Sequence, residues 1–266
     1  MPVFDVLSDV QGDLDDLRTA LTYADGDRLL INGDLTAHGF EQEYADLFEC
    51  LGPQRPLCTI GNHDFYNGDA TDVSIERFRC WTGMPGVWWR VDVDGVRVLG
   101  IGSTDGSEAS GHCVVLGDTQ LDWLASNLGS GPTIVLGHHP LPRTVSGSFE
   151  DPVDSAPRLY LSDYAEAARL RRLLDRPNVL LLTGHTHWNL RRPDWLYRSA
   201  FTVANTGAVQ REFGPDGNGG EQPLDGPFCQ GLRVRIDGTA LEIVALDFAT
   251  GEPEVVQTYT GTLHAN

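Results

Sequence analysis

The chain has 266 residues, of which 41% are hydrophobic and 21% charged, as is ordinary for a globular protein with a large core. Its formal net charge is −19, from 38 acidic residues against 19 arginines, and it contains no lysine. The lack of lysine excludes a catalytic or Schiff-base lysine, and the lack of a basic surplus argues against a nucleic-acid polymer as partner.

The N-terminal residues MPVFDVLSDV lack the basic region of a signal peptide, and Asp5 interrupts their apolar run. No apolar run approaches the roughly 18 residues that a membrane span needs. The five cysteines are odd in number and show no CxxC spacing, which favours reduced thiols in a cytosol. The sequence therefore predicts a cytoplasmic protein with one domain over residues 1–266 and no membrane partner.

The first part of the chain alternates short apolar runs with amphipathic stretches. The runs 3–7, 28–32 and 57–60 predict strands, and the stretches 14–23 and 41–51 predict helices because their apolar residues recur at helical spacing. The apolar runs are continuous rather than alternating, which is typical of strands covered on both faces.

After Gly83 the pattern changes to a hairpin, in which residues 87–93 and 96–101 flank the turn Asp94-Gly95. The alternation then resumes, with predicted strands at 133–137, 179–184 and 201–205 and predicted helices at 118–128 and around 163–174.

A second hairpin is predicted at about 229–250, with Asp237-Gly238 as its turn. Two segments rich in Gly, Pro and Asp, 141–160 and 214–227, are predicted to be surface loops. Alternating strands and helices with two hairpins predict an α/β fold in which two mixed sheets pack together and carry helices outside.

Polar residues follow five of the predicted strands at the point where each strand ends. These segments are SDVQGD (8–13), GDLTAHG (33–39), GNHDFYNG (61–68), GHHP (137–140) and GHTH (184–187). Because the carboxyl ends of the strands share one edge of an α/β sheet, we expect the segments to meet there. Each alone is typical of a turn, but the five together predict a mixed oxygen and nitrogen metal site, suited to Mn, Fe, Zn or Mg.

In this order the segments resemble the calcineurin-like metallophosphoesterase superfamily, whose pattern reads Asp-x-His, Gly-Asp, Gly-Asn-His-Asp/Glu, His and Gly-His-x-His. The resemblance covers residues 5 to about 207, and LGDTQLDWL (116–124) also resembles a helix of phosphodiesterase members. It implies a four-layer αββα sandwich with a site for two divalent metal ions, manganese or iron, with zinc or magnesium as alternatives. The implied ligands are Asp9, Gln11, Asp34 and His187 for the first metal, and Asp34, Asn62, His138 and His185 for the second.

The resemblance also implies a mechanism, in which a hydroxide bridging the two metals attacks phosphorus in line. His63 would be free of metal and could protonate or stabilise the leaving alkoxide. Candidates for contact with the substrate are His38, Tyr66 and His139, of which His139 could instead support a metal ligand.

The sequence departs from the family pattern at two positions. Gln11 stands where most members have histidine, and its neutral amide oxygen predicts a looser first metal that favours Mn or Mg over Zn. Asp-x-Gln also occurs in the manganese-dependent ADP-ribose/CDP-alcohol diphosphatases, whose Gly-Asn-His-Glu-Phe-Tyr-Asn resembles GNHDFYN. Ala37 stands where many members have an aspartate that orients the catalytic histidine, and Asp64 is the candidate substitute.

The resemblance therefore implies a metal-dependent hydrolase of a small, nucleotide-like phosphodiester or phosphoanhydride. A phosphomonoesterase with the same metal centre is the alternative among enzymes. A metal-binding scaffold that has lost catalysis is the alternative from another class, with Gln11 and Ala37 as the signs of that loss.

Overall fold

Two six-stranded sheets, each covered by helices, form the frame of the protein. The computed structural model describes residues 1–107, 109–149, 160–218 and 220–264. None of the helices within these ranges has the length and apolar character needed to cross a membrane.

The first sheet combines the N-terminal strands with the C-terminal part of the chain. Its strands are β1 (Val3–Leu7), β2 (Arg28–Asn32), β3 (Leu57–Thr59), β12 (Gln230–Asp237), β13 (Ala240–Asp247) and β14 (Glu254–Thr262). They lie in the order β14-β13-β12-β1-β2-β3, with β1 to β3 parallel and β12 to β14 antiparallel. The sequence analysis does not predict β14, because the strand lies at the edge of the sheet and is largely exposed.

The second sheet is built from the middle of the chain. Its strands are β4 (Trp89–Val93), β5 (Val96–Ile101), β6 (Thr133–Gly137), β7 (Val179–Thr183), β8 (Leu196–Arg198) and β9 (Thr202–Asn205), in the order β4-β5-β6-β7-β9-β8. Strands β5, β6, β7 and β9 run parallel, so their carboxyl ends lie at one edge.

The helices cover the outer faces of the two sheets. They are α1 (Leu14–Tyr23), α2 (Glu41–Leu51) and α3 (Thr71–Thr82) on the first sheet, and α4 (Gly117–Asn127) and α5 (Ala167–Leu174) on the second. A third apolar cluster, which includes Phe4 of the first sheet and Trp89 of the second, fills the space between the sheets. The layers therefore run helix, sheet, sheet, helix, and the predicted αββα architecture is confirmed. Burial of these apolar clusters is the main favourable contribution to the fold.

The predicted surface loops differ from what the structure shows. Within 214–227, strands β10 (Phe213–Pro215) and β11 (Glu221–Pro223) form a short antiparallel ribbon instead of an open loop. Most of 141–148 is buried, because its polar groups bond internally: Thr144 Oγ1 donates to the carbonyl of Leu141 at 2.6 Å, and Ser148 Oγ to that of Val145 at 2.6 Å. Positions 150–159 of the predicted loop lie outside the described residues.

Candidate metal centre

The polar segments that follow the parallel strands meet where the carboxyl edges of both sheets adjoin. Asp9 and Asp34 follow β1 and β2 of the first sheet, and His138 follows β6 of the second. His138 Nε2 lies 3.2 Å from Asp34 Oδ2 and 3.7 Å from Asp9 Oδ1, so the site spans the two sheets.

Backbone strain is concentrated at this edge. Eight non-glycine residues in the described part of the chain have positive φ, and five of them are implied metal ligands. Those five are Asp9 (54°), Gln11 (45°), Asp34 (49°), His185 (68°) and His187 (53°). Such conformations cost about 1–3 kcal/mol each and persist where the surrounding structure imposes them, as it does at functional sites.

Two of the glycines that precede ligands are required by close packing. A Cβ atom on Gly33, whose φ is +81°, would lie 2.4 Å from the ring of His138. A Cβ atom on Gly61 would lie 2.1 Å from Asp34 Oδ1. Glycine at these positions therefore allows ligands from neighbouring loops to approach one another.

The first group of side chains that could hold a metal ion contains Asp9, Asp34 and His187, whose candidate ligand atoms all lie within 4.8 Å of one another. His187 Nδ1 donates to the carbonyl oxygen of Arg211 at 2.7 Å, which directs Nε2 into the site, where it lies 3.1 Å from Asp9 Oδ1. Gln11 Nε2 lies 2.9 Å from Asp34 Oδ2 and 3.2 Å from His187 Nε2. Turning the Gln11 amide over exchanges its oxygen and nitrogen, so its oxygen can occupy the same position as a ligand.

The second group contains His138, His139 and His185, again with ligand atoms within 4.8 Å. His138 Nδ1 donates to the carbonyl oxygen of Asn32 at 2.7 Å, which directs Nε2 into the site. The side-chain atoms Asn62 Oδ1, His138 Nε2 and His185 Nε2 are buried and have no hydrogen-bond partner. Buried polar atoms are normally satisfied, so these three fit a bound cation better than they fit a plain protein interior.

Asp34 lies between the two groups. Its Oδ1 accepts a hydrogen bond from the His63 backbone N–H at 2.9 Å, while Oδ2 faces Gln11 and His138. Burial opposes ionisation of Asp34, but the neighbouring His138, with His63 and His185, holds its pKa well below the usual range. The carboxylate is therefore ionised and placed as a bridge would need to be.

The surroundings shift the pKa values of His185 and His138 in opposite directions. Burial, with His139 and His138 nearby, lowers the pKa of His185 well below its usual range, so its ring is neutral and can donate a lone pair. Burial also disfavours the charged form of His138, but Asp34 and Asp9 outweigh it and raise the pKa of His138 to about 9. A divalent cation at this position would take over the role of that proton.

The orientation of His63 differs from the expectation. Its Nδ1 donates to the backbone carbonyl of Ala37 at 2.8 Å, and its ring packs against Tyr66 with centroids 4.7 Å apart. Asp64 is not the substitute for a missing aspartate, because its carboxylate is buried and accepts from Leu35 N, Thr36 N, Thr36 Oγ1 and Gly61 N. The main chain at position 37 thus orients the histidine without an acidic side chain.

A cleft of about 530 Å³ opens over the two groups. Tyr66 lines it, and the Tyr66 hydroxyl accepts a hydrogen bond from Asn62 Nδ2 at 2.8 Å. His38 does not line it, since its Nδ1 and backbone N–H face the Glu43 carboxylate at 3.1 and 3.0 Å. His139 lies behind the cleft, with its ring centroid 4.0 Å from that of His185.

Several residues near the candidate ligands belong to no sequence motif, so the sequence analysis did not identify them. The Asp163 carboxylate is buried and lies 3.6 Å from His185 Nε2 and 3.7 Å from His112 Nε2. Burial raises the pKa of Asp163 to about 6, although His112 and His138 oppose the rise. Tyr160 and Arg211 line the cleft with His112.

Comparison with known proteins supports the family that the sequence motifs resemble. The model of the calcineurin-like phosphoesterase family matches residues 2–189. A "probable cyclic nucleotide phosphodiesterase" of Rhodococcus erythropolis is 28% identical over 182 residues, which are 61% of this chain and 52% of that protein. The chain thus spans about half the length of this relative.

Solved structures of similar chains include a protein of Thermus thermophilus, with a TM-score of 0.49, 16% identity and coverage of 99% of both chains. They also include an uncharacterised protein of Streptococcus pneumoniae, with a TM-score of 0.46, 14% identity and coverage of 98% of this chain and 97% of that one. The family match over residues 2–189 decides the assignment, and the chain belongs to the calcineurin-like phosphoesterase family.

Proposed function

We propose that the protein is a dinuclear metal-dependent hydrolase of a small, nucleotide-like phosphodiester or phosphoanhydride. The observation that carries this proposal is the position of Asp34 between two groups of candidate ligand atoms. The buried atoms Asn62 Oδ1 and His185 Nε2 make no hydrogen bond, and His138 Nε2 lies 3.2 Å from Asp34 Oδ2. These orphaned atoms and the strained backbone around them support a bound metal at this place in the fold.

The residues present fit two divalent cations that share Asp34. Asp9, Gln11 and His187 would complete the first site, and Asn62, His138 and His185 the second. When bound, such a pair supplies positive charge to the phosphoryl oxygens and lowers the pKa of water. The hard carboxylate and amide oxygens, and the absence of cysteine among the ligands, favour manganese or iron.

His63 is the residue in this arrangement that can move a proton. Its Nδ1–H is held by the Ala37 carbonyl, and its Nε2 lies at the cleft, 4.0 Å from Asp34 Oδ2. A proton on Nε2 can be transferred to the oxygen that leaves phosphorus, while the hydrogen bond from Nδ1 to the main chain fixes the ring. Among the described residues no carboxylate accepts from Nδ1, so the ring is oriented by a neutral carbonyl alone.

The walls of the cleft suit an organic group on the phosphoryl substrate. Tyr66, Tyr160 and Phe213 present aromatic surface beside the ligands, and a cleft of about 530 Å³ is large enough for a nucleotide-sized molecule. The printed name of the Rhodococcus erythropolis relative, a probable cyclic nucleotide phosphodiesterase, supports a diester over a monoester.

The test combines metal analysis with a comparison of two simple substrates. Protein stripped by chelator and reloaded with Mn should bind two ions per chain and hydrolyse bis(p-nitrophenyl) phosphate faster than p-nitrophenyl phosphate. Asp34→Asn should lose most of the metal and nearly all turnover. Preference for the monoester would assign the alternative, a phosphomonoesterase, and two bound metals without any turnover would indicate a scaffold.

A further inference from the structure

Asp163 is a buried carboxylate beside the second group of candidate ligands, and it belongs to none of the five polar segments. The residue is 2% exposed, and its Oδ2 makes no hydrogen bond within the described part of the chain. In contrast, the buried carboxylate of Asp64 accepts four hydrogen bonds, and that of Asp5 pairs with Arg233 at 2.7 Å. A buried carboxylate oxygen without a partner is costly, so its retention requires a charge that compensates it.

The atom that faces Asp163 Oδ2 is His185 Nε2, at 3.6 Å, and this nitrogen is likewise buried without a partner. The distance is too long for a hydrogen bond, since N–H···O bonds span about 2.7–3.2 Å. Two ligands that each lie about 2.0–2.2 Å from one cation, at an angle of about 90–110°, are separated by about 2.8–3.6 Å. The observed separation therefore fits two ligands of one ion.

The surroundings of Asp163 hold its carboxylate at this place. The carbonyl oxygen of Asp163 accepts from the N–H of Val114 at 2.6 Å, and the hydroxyl of the next residue, Tyr164, donates to the carbonyl of His139 at 3.1 Å. On the side of the cleft, His112 Nε2 lies 3.7 Å from Asp163 Oδ1. Asp163 is thus anchored to the loop that follows β6, as a precise ligand position requires.

We propose that Asp163 is a further ligand of the second metal, bound through Oδ2 next to His185. This inference rests on the proposed function, because the second metal belongs to the proposed dinuclear centre. The carboxylate adds a hard, charged oxygen to a site otherwise formed by Asp34, Asn62, His138 and His185. Five protein ligands exceed the four of tetrahedral zinc, so the second site should favour Mn or Fe over Zn.

The experiment compares Asp163→Asn with the matched control Asp5→Asn. Asp5 is also a buried aspartate, but it lies within β1 and pairs with Arg233. In calorimetric titration of chelator-stripped protein with Mn, Asp163→Asn should bind one ion as the wild type does and the second about 10–100-fold more weakly. Asp5→Asn should bind both ions with the affinities of the wild type.

Two further measurements separate a ligand from a residue that only supports the fold. Asp163→His replaces the oxygen ligand with an imidazole and should shift the preference of the second site towards Zn, which a structural role would not do. In urea with chelator present, Asp163→Asn should be no less stable than the wild type, because Oδ2 loses no hydrogen bond. Asp5→Asn, which weakens an ion pair, should be less stable.

Unchanged affinity of Asp163→Asn for both ions, or a loss of stability in chelator as large as that of Asp5→Asn, would overturn the inference and leave the proposed function intact. Should Asp163→Asn fail to fold, a crystal structure of the Mn-loaded wild type decides. Oδ2 within about 2.5 Å of the second ion supports the proposal, and a longer distance refutes it. A wild type that binds two ions without any turnover refutes the proposed activity alone, and one that binds fewer than two refutes both.

Discussion

Removal of the Asp64 carboxylate should destabilise the fold at the base of the metal centre. Asp64 is buried and accepts hydrogen bonds from the backbone N–H groups of Leu35 at 3.3 Å, Thr36 at 3.1 Å and Gly61 at 2.9 Å. It therefore ties the loop after β2, which carries Asp34, to the loop after β3, which carries Asn62. The perturbation is Asp64→Ala, which removes the acceptor of these three backbone donors and of the Thr36 hydroxyl.

The size of the effect follows from two opposing contributions. Each orphaned buried donor costs about 1–3 kcal/mol, so the three backbone donors cost roughly 3–9 kcal/mol. Burial, with Asp34 nearby, raises the pKa of Asp64 to about 6, so ionisation of this carboxyl costs more free energy in the folded chain than in the unfolded chain. Removal of the carboxylate recovers part of that desolvation cost. We therefore expect the free energy of unfolding to fall by about 3 kcal/mol, the lower end of the range, out of a typical total of 5–15 kcal/mol.

The assay is urea unfolding at about pH 8, where the carboxylate is ionised, with chelator present so that metal binding does not contribute to stability. Asp64→Asn keeps one acceptor oxygen and should lose about half as much free energy of unfolding. Asp69→Ala is the matched surface control: that exposed aspartate pairs with Arg77 at 2.5 Å, and its removal should cost less than about 1 kcal/mol. A free energy of unfolding for Asp64→Ala equal to that of the surface control would refute the reasoning.

Three further predictions concern single side chains. His63→Ala should keep its metal content while turnover falls about 10²–10⁴-fold. The loss should be smaller for substrates with p-nitrophenyl leaving groups than for those with alkyl leaving groups. Equal losses would show that His63 only positions the phosphate. Gln11→Ala should weaken activation by Mn without removing the second metal, and Gln11→His should shift the metal preference towards Zn. The measurement is the metal stoichiometry of the wild type and both variants. If Gln11→Ala is identical to the wild type, Gln11 is only a turn residue. Burial, with Asp13, Asp15 and Asp247, raises the pKa of Asp16 to about 6. The folded state therefore holds this proton more tightly than the unfolded state and loses stability as pH rises from about 4 to 6. Asp16→Asn should accordingly be more stable than the wild type at about pH 8. The gain should be less than about 1 kcal/mol, because the side chain is partly exposed. A gain in stability that is also present at about pH 4 would contradict the raised pKa of Asp16.

Local features of the sequence determined the element order and the positions of the candidate ligands. Apolar periodicity predicts β1, α1, β2 and α2 with the bounds that the structure has, because it records which face of each element is buried. The turn at Asp94-Gly95 was also determined locally, since both residues adopt the positive φ values, 46° and 85°, that a tight hairpin requires. The polar segments after the strands could be read as one site because parallel strands end at a common edge.

The tertiary structure alone decided how the ligands are held and what surrounds them. The partner of His63 is the Ala37 carbonyl, and that of His138 is the carbonyl of Asn32, 106 residues away. A backbone carbonyl is present at every residue, so no sequence pattern marks the one that will serve. The positions of Arg211 and Asp163 beside the centre likewise depend on contacts between distant segments, such as Gln210 with Asp9. Periodicity and turn chemistry act over a few residues, whereas these contacts form only once the two sheets have packed and brought their carboxyl edges together.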